Sequence, residues 1–171
     1  MTTTDDLLAG LPFALPAAAR TATLLPLFRD LTAHHAAACP AYARLLDLFA
    51  PRWTAAETLA DLPHVPVGLF KSHVLTSVPP ESVATWVMSS GTRGVQSRVA
   101  VDATAASVQA KALGVVLREA LGPKRLPMIL VENHAAMGGG GAYSARAAGV
   151  LGLMKYGRDH LFLLGADDQV D

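Results

Sequence analysis

The sequence predicts an α/β fold in which N-terminal helices precede a partly parallel sheet with crossover helices. Three observations carry that prediction. Residues 5–50 place apolar side chains at helical spacing. The runs LPMILV (126–131) and LFLL (161–164) are short, continuous and apolar, the pattern of strands in a parallel sheet covered on both faces. Helical segments at 102–121 and 144–154 alternate with them, and a helix, strand, helix, strand order closes most simply through right-handed crossovers. A helical segment over 1–50 followed by an α/β domain over 51–171 is the expected division.

Taken in order, Leu24, Leu27, Phe28 and Leu31 recur at helical spacing, and Tyr42, Leu45, Leu46 and Phe49 repeat the pattern after a break at Pro40. Two short amphipathic helices are the simplest account. From 51 to 80 scattered prolines remove amide donors and bias their predecessors away from helix, so an extended, looping segment is expected. Residues 85–89 (TWVMS) and 97–101 (SRVAV) read as strands on either side of the loop SSGTRGVQ. The helix at 102–121 has Asp102 or Thr104 as its cap, gathers Val108, Leu113, Val116, Leu117 and Leu121 toward one face, and stops at Gly122-Pro123. LPMILV ends at the polar pair Glu132-Asn133, and glycines 138–141 form a loop before the helix at 144–154.

At 171 residues the chain is long enough for a core of its own, although alanine supplies much of its 51% apolar content and buries little surface per residue. Fourteen basic residues balance fourteen acidic ones, without the basic excess that a nucleic-acid backbone selects. No nucleic-acid partner is expected. The opening MTTTDDLLAGLPFALPAAAR contains an apolar stretch, but Asp5 and Asp6 stand where a signal peptide needs positive charge, and Pro12 and Pro16 interrupt it. No apolar run approaches the roughly 18 residues that span a bilayer, so no membrane span and a cytoplasmic location are expected. Cys39 is the single cysteine, which excludes an intrachain disulfide and a multi-thiolate metal site. His35 and Cys39 lie one helical turn apart, yet with His34 they make too few ligands without an acidic neighbour, so no metal site is assigned.

The sharpest local feature is Ser89-Ser90-Gly91-Thr92-Arg93-Gly94 between two predicted strands. Its glycines let backbone approach an anion, its hydroxyls and amides supply donors, and Arg93 adds charge, which suits a polyphosphate. The same residue types also make an ordinary Ser/Thr/Gly hairpin turn. It is not a Walker loop, since no G-x-x-x-x-G-K-[ST] string occurs. Arg146, Lys155 and Arg158 follow the tetraglycine and are either phosphate or carboxylate ligands or solvated surface charge. No G-x-S-x-G, H-E-x-x-H or G-x-G-x-x-G string is present.

The blocks HHAAACPAY (34–42), LPHVPVGLFKSH (62–73), SSGTRG (89–94), KRLPMILVE (124–132), YSARAAGVLG (143–152) and YGRDH (156–160) stand in the order found in acyl-protein synthetases of the LuxE type, which the chain resembles from about residue 20 onward. The resemblance implies the first part of the large domain of adenylate-forming enzymes. It implies a two-step ligase that joins a carboxylic acid, such as a long-chain fatty acid, to AMP at the expense of ATP with Mg²⁺, then passes the acyl group to a protein thiol for a partner acyl reductase. Ser89, Ser90, Gly91, Thr92 and Gly94 match the loop that embraces ATP phosphates, while Arg93 departs from the family's usual Thr or Ser. Arg146 and Arg158 fall in matching blocks as further nucleotide-binding candidates; Lys71 and His160 match without an assigned role, and no catalytic residue is assigned. Cys39 sits in a matching block as a structural residue. Family members are longer, so the resemblance also implies that a C-terminal half with a lid and the acyl-accepting cysteine is missing, the chain being either a truncated gene product or one half of a split enzyme whose other half is encoded separately. The alternatives are a non-catalytic binding subunit or inert fragment of that fold, and a part of a CoA ligase relative. A further expectation is that strands such as LPMILV and LFLL present an apolar face uncovered.

Overall fold

The computed structural model describes residues 4–90, 94–137, 142–167, 169 and 170. They form two compact units, Met1–Pro80 and Glu81–Asp171. Gly91, Thr92 and Arg93 of the Ser/Thr/Gly loop and glycines 138–141, read from the sequence as a loop, lie outside the described residues.

The first unit is helical. α1 spans Thr4–Ala9, α2 Ala17–Ala38 and α3 Pro40–Phe49. The break falls at Cys39-Pro40 as the sequence predicts, because Pro40 has no amide to continue α2 and its fixed φ opens α3. Instead of two short helices there are three, the middle one long. α2 runs through Pro26, whose missing donor removes one rung while Leu25 and Thr32 on either side stay buried. Leu25 and Thr32, two helical turns apart on α2, Cys39 at the break and Leu46 on α3 are buried, and α2 packs against α3. Thr32 hides its hydroxyl by donating to the Phe28 carbonyl at 2.7 Å. The proline-rich stretch is less extended than expected: it makes helical turns at Trp53–Ala55 and Leu59–Asp61 and a short helix, α4, at Leu69–Ser72. One carboxylate oxygen of Asp61 accepts from the Thr58 amide and hydroxyl, both at 2.8 Å, and from the Glu57 amide at 3.1 Å, which closes the second turn.

The second unit holds the strands. β1 (Val83–Met88) pairs antiparallel with β2 (Arg98–Asp102). α5 (Ala103–Leu121) follows, capped by Asp102, whose Oδ1 accepts from the Ala105 amide at 2.7 Å. β3 covers Leu126–Asn133, β4 Ala142–Ser144, α6 Ala145–Met154 and β5 Gly157–Leu164. β4 joins the free side of β1 in parallel, giving the order β2-β1-β4, and β3 pairs in parallel with β5. The unit is therefore mixed α/β with parallel pairings, as the sequence indicates. The strands divide between two small sheets, however, and β3 has no ladder with β1 among the described residues. Three-residue β4 is too short to leave a periodic signal, and the sequence reading has no strand there.

α6 packs against both β4 and β5 and fills the crossover between the parallel strands. Tyr156, just past its end, donates to the Ala110 carbonyl of α5 at 2.5 Å. Gly114 on α5 and Gly157 on β5 let Tyr156 and Met128 approach; a Cβ on Gly157 would stand 2.9 Å from that of Met128. β3 is not covered on both faces. Leu130 and Glu132 are buried, whereas Ile129 and Val131 are 66% and 68% exposed, and Leu161 opposite Ile129 is 56% exposed. A continuous apolar run specifies a strand suited to burial; the cover has to come from elsewhere in the fold.

Candidate functional site

The Ser/Thr/Gly loop grows out of the C-terminal end of β1. Its base is tied twice: the Ser89 amide donates to the Ser97 carbonyl at 3.1 Å, and the Ser97 amide donates to the Ser89 hydroxyl at 2.9 Å. Ser89 thus spends an acceptor lone pair on closing the hairpin and keeps its hydroxyl proton for another partner. Gly94 has φ +100°, a backbone conformation L side chains rarely adopt, so its identity is dictated by the turn. Ser90 is exposed. Below the loop, Arg98 lies over the Trp86 ring, 4.9 Å from its centroid, and braces β2 against β1.

The parallel pairing of β1 with β4 decides what stands beside this loop. Met88, the last residue of β1, is opposite Ser144, whose hydroxyl accepts from the Ala147 amide at 3.0 Å and caps α6. The start of α6 therefore opens at the sheet edge from which the loop departs. Arg146 is in that first turn. Its Nε pairs with Oε2 of Glu132, the penultimate residue of β3, while Glu132 Oε1 accepts from the Asn133 amide at 3.2 Å. Glu132 is only 3% exposed, whereas the Arg146 side chain is 68% exposed. The C-terminal ends of β1 and β3 and the N-terminus of α6 thus carry a polar group at the strand ends where open α/β sheets bind ligands. Backbone amides at the start of α6 and the Arg146 guanidinium favour an anion there.

Arg158 is not brought to that edge. It stands opposite Pro127 near the beginning of β3, five positions before Glu132, or about 16 Å along the strand. There Arg158 pairs with Asp159 and donates from Nε to the Arg125 carbonyl at 3.2 Å. Asp159 has φ +49° and is the extra residue where the β3–β5 register shifts. His160 makes a 2.9 Å contact from Nε2 to the Met154 carbonyl, a bracing role between β5 and α6. Lys71 is exposed on α4, and Cys39, at the break between α2 and α3, is 3% exposed.

Glu132 is the residue that sequence reasoning passed over. Its signal was present: a carboxylate ending an apolar run in a predicted parallel strand sits where such sheets place ligands. The first unit holds a cavity of about 1050 Å³ walled by Leu46, Phe49, Trp53, Leu62, Val65 and Leu69. Among the described residues no group of three or more His, Cys, Asp or Glu side chains could hold a metal ion, and no helix is long and apolar enough to cross a membrane.

No curated protein and no solved structure matches the chain. The family model for acyl-protein synthetase, LuxE, matches residues 2–170, nearly the whole sequence, and the chain therefore belongs to that family.

Proposed function

We propose that the chain supplies the nucleotide-phosphate end of an ATP-dependent acid–thiol ligase. The observation that carries this reading is the family match over residues 2–170. The hairpin loop beside the capped, arginine-bearing start of α6 supports it. In this reading Ser89, Ser90, Gly91, Thr92, Arg93 and Gly94 surround the polyphosphate, and Arg146 faces it from α6. Arg158, placed at the other end of the strand pair, braces β3 against β5 instead. ATP supplies the adenylyl group: a carboxylate oxygen displaces pyrophosphate from the α-phosphorus, and a thiolate later displaces AMP from the acyl carbon. Donors already oriented before reaction stabilise the charge that builds on phosphate at little further reorganisation. Mg²⁺ bound with the nucleotide would offset charge on its phosphates.

Cys39 is buried and unsuited as acyl carrier, so the acceptor is a thiol elsewhere, from whose thioester an acyl reductase takes the acyl group and releases the thiol. The acid is a carboxylate with an apolar body, a long-chain fatty acid among the candidates. Exposed Ile129, Val131 and Leu161 favour a second arrangement, in which this chain is a binding subunit and a further polypeptide covering β3–β5 completes the enzyme. Carboxylate-dependent ATP–pyrophosphate exchange, measured on the chain alone and with a candidate C-terminal chain, tests both. Exchange by the chain alone supports a self-sufficient adenylating site; exchange only in the mixture supports the subunit. Exchange in neither, across fatty and aryl acids, counts against a live ligase. Gly91→Val should abolish it by blocking backbone approach, and retained exchange would sink the loop's role.

A further inference from the structure

Glu132 has no part in the scheme above, yet its burial demands one. A carboxylate 3% exposed is costly unless both oxygens are engaged, and here each is: Oε1 by the Asn133 amide and Oε2 by the Nε of Arg146. The contact from arginine is made through one edge of the guanidinium only. Its two Nη groups, with four N–H donors, have no partner among the described residues, and the side chain is 68% exposed. A buried anion thus grips one edge of the fork while the other faces outward from the first turn of α6. That turn is capped by Ser144, which the β1–β4 pairing sets beside the last residue of β1.

We propose that Glu132 is a positioning residue: it holds Arg146 by its Nε edge so that both Nη groups meet a phosphate oxyanion of the nucleotide. The inference rests on the phosphate reading given above. Its physical content is preorganisation. A long arginine otherwise spreads over many rotamers and must be ordered at the moment of binding, whereas the buried carboxylate has already ordered it. A lysine cannot substitute, because a single ammonium has no second edge to present once Glu132 holds it.

ATP titration of the full chain by calorimetry, with melting temperatures in parallel, tests this. Arg146→Ala should weaken ATP binding by about tenfold, the scale of a lost charge-assisted pair. Glu132→Gln, of the same shape without the charge, should lose a comparable factor although it touches no ligand. The double variant should be no weaker than Arg146→Ala, because the carboxylate acts only through the guanidinium. Arg146→Lys, an exposed change that leaves folding intact, should bind as poorly as Arg146→Ala, and it serves if Glu132→Gln does not fold. Wild-type affinity in Glu132→Gln or Arg146→Lys, or losses that add in the double variant, would overturn the inference. A purely structural pair would lower the melting temperature without the coupling in affinity. If Gly91→Val loses ATP while Glu132→Gln keeps it, the positioning role fails and the phosphate loop stands; a wild-type chain without ATP affinity, both alone and mixed with the candidate C-terminal chain, overturns both.

Discussion

Two glycines on neighbouring helices show how a single hydrogen in place of a side chain can mean opposite things. Gly114, in the middle of α5, is buried, and a Cβ there would stand 2.8 Å from the Tyr156 hydroxyl. Helix propensity alone would favour replacing it, by about 1 kcal/mol for alanine. Contact decides otherwise: Gly114→Val should destabilise the second unit by roughly 1–3 kcal/mol, as overpacking does. At Gly149 on α6 a Cβ meets nothing within 4 Å, so Gly149→Ala should be neutral or stabilising by up to about 1 kcal/mol. Thermal melts by circular dichroism check both, and equal effects at the two positions would show that Tyr156 does not lie against α5. In the first unit His35 carries a pH signature. Its Nδ1 lies 2.6 Å from the Ser77 hydroxyl, and burial, followed by repulsion from His34, holds its pKa below the usual 6.5. The unfolded chain therefore takes up a proton that the folded chain resists. Stability is fully present above pH 6.5 and falls as the pH drops below it toward the depressed native value. Urea midpoints at pH 7.5 and 5.0 should differ in that direction, and His35→Gln should flatten the dependence.

At the scale of elements, chain chemistry is most legible at helix ends. Asp102 and Thr104 both suit a cap, and the structure uses Asp102 because its carboxylate reaches the Ala105 amide. Asp102→Ala should cost about 1 kcal/mol, read from denaturant midpoints, whereas Thr104→Ala should cost much less. Pro40 and Gly122 mark the limits of α3 and α5 for equally local reasons, and Gly122 stands at φ +82° just past α5. Pro26 was no such boundary: α2 continues through it with Leu25 and Thr32 buried on either side. Strands were less legible. Period and apolarity located β1, β2, β3 and β5 within a few residues, but β4 exists because β1 offers it a ladder, not because three residues ask for one.

For the whole molecule, the uncovered face of β3–β5 is the feature with a consequence for behaviour. Ile129 and Val131 point away from the buried Leu130 and Glu132, as alternation along a strand requires. Replacing both with threonine keeps β propensity and removes apolar surface. Folding stability should then change by less than about 0.5 kcal/mol per site, while binding of a hydrophobic dye and self-association on gel filtration should decline. A large fall in melting temperature instead would mean that this face is packed in solution.

The sequence by itself determined most of the helices and strands, a cap at Asp102 or Thr104, the stops at Pro40 and Gly122, and, through ordered blocks such as SSGTRG and YSARAAGVLG, the family. Those features are written in backbone preferences and local hydrogen bonds that act over a few residues. Only tertiary structure decided that Glu132 meets Arg146, that Arg158 belongs to the opposite end of the same strand pair, and that Ser89 and Ser144 share a sheet edge. These depend on which strands pair and in which register, and pairing is settled by packing between distant segments. Arg146 and Arg158 look alike along the chain; about 16 Å of strand separates the ends at which they stand.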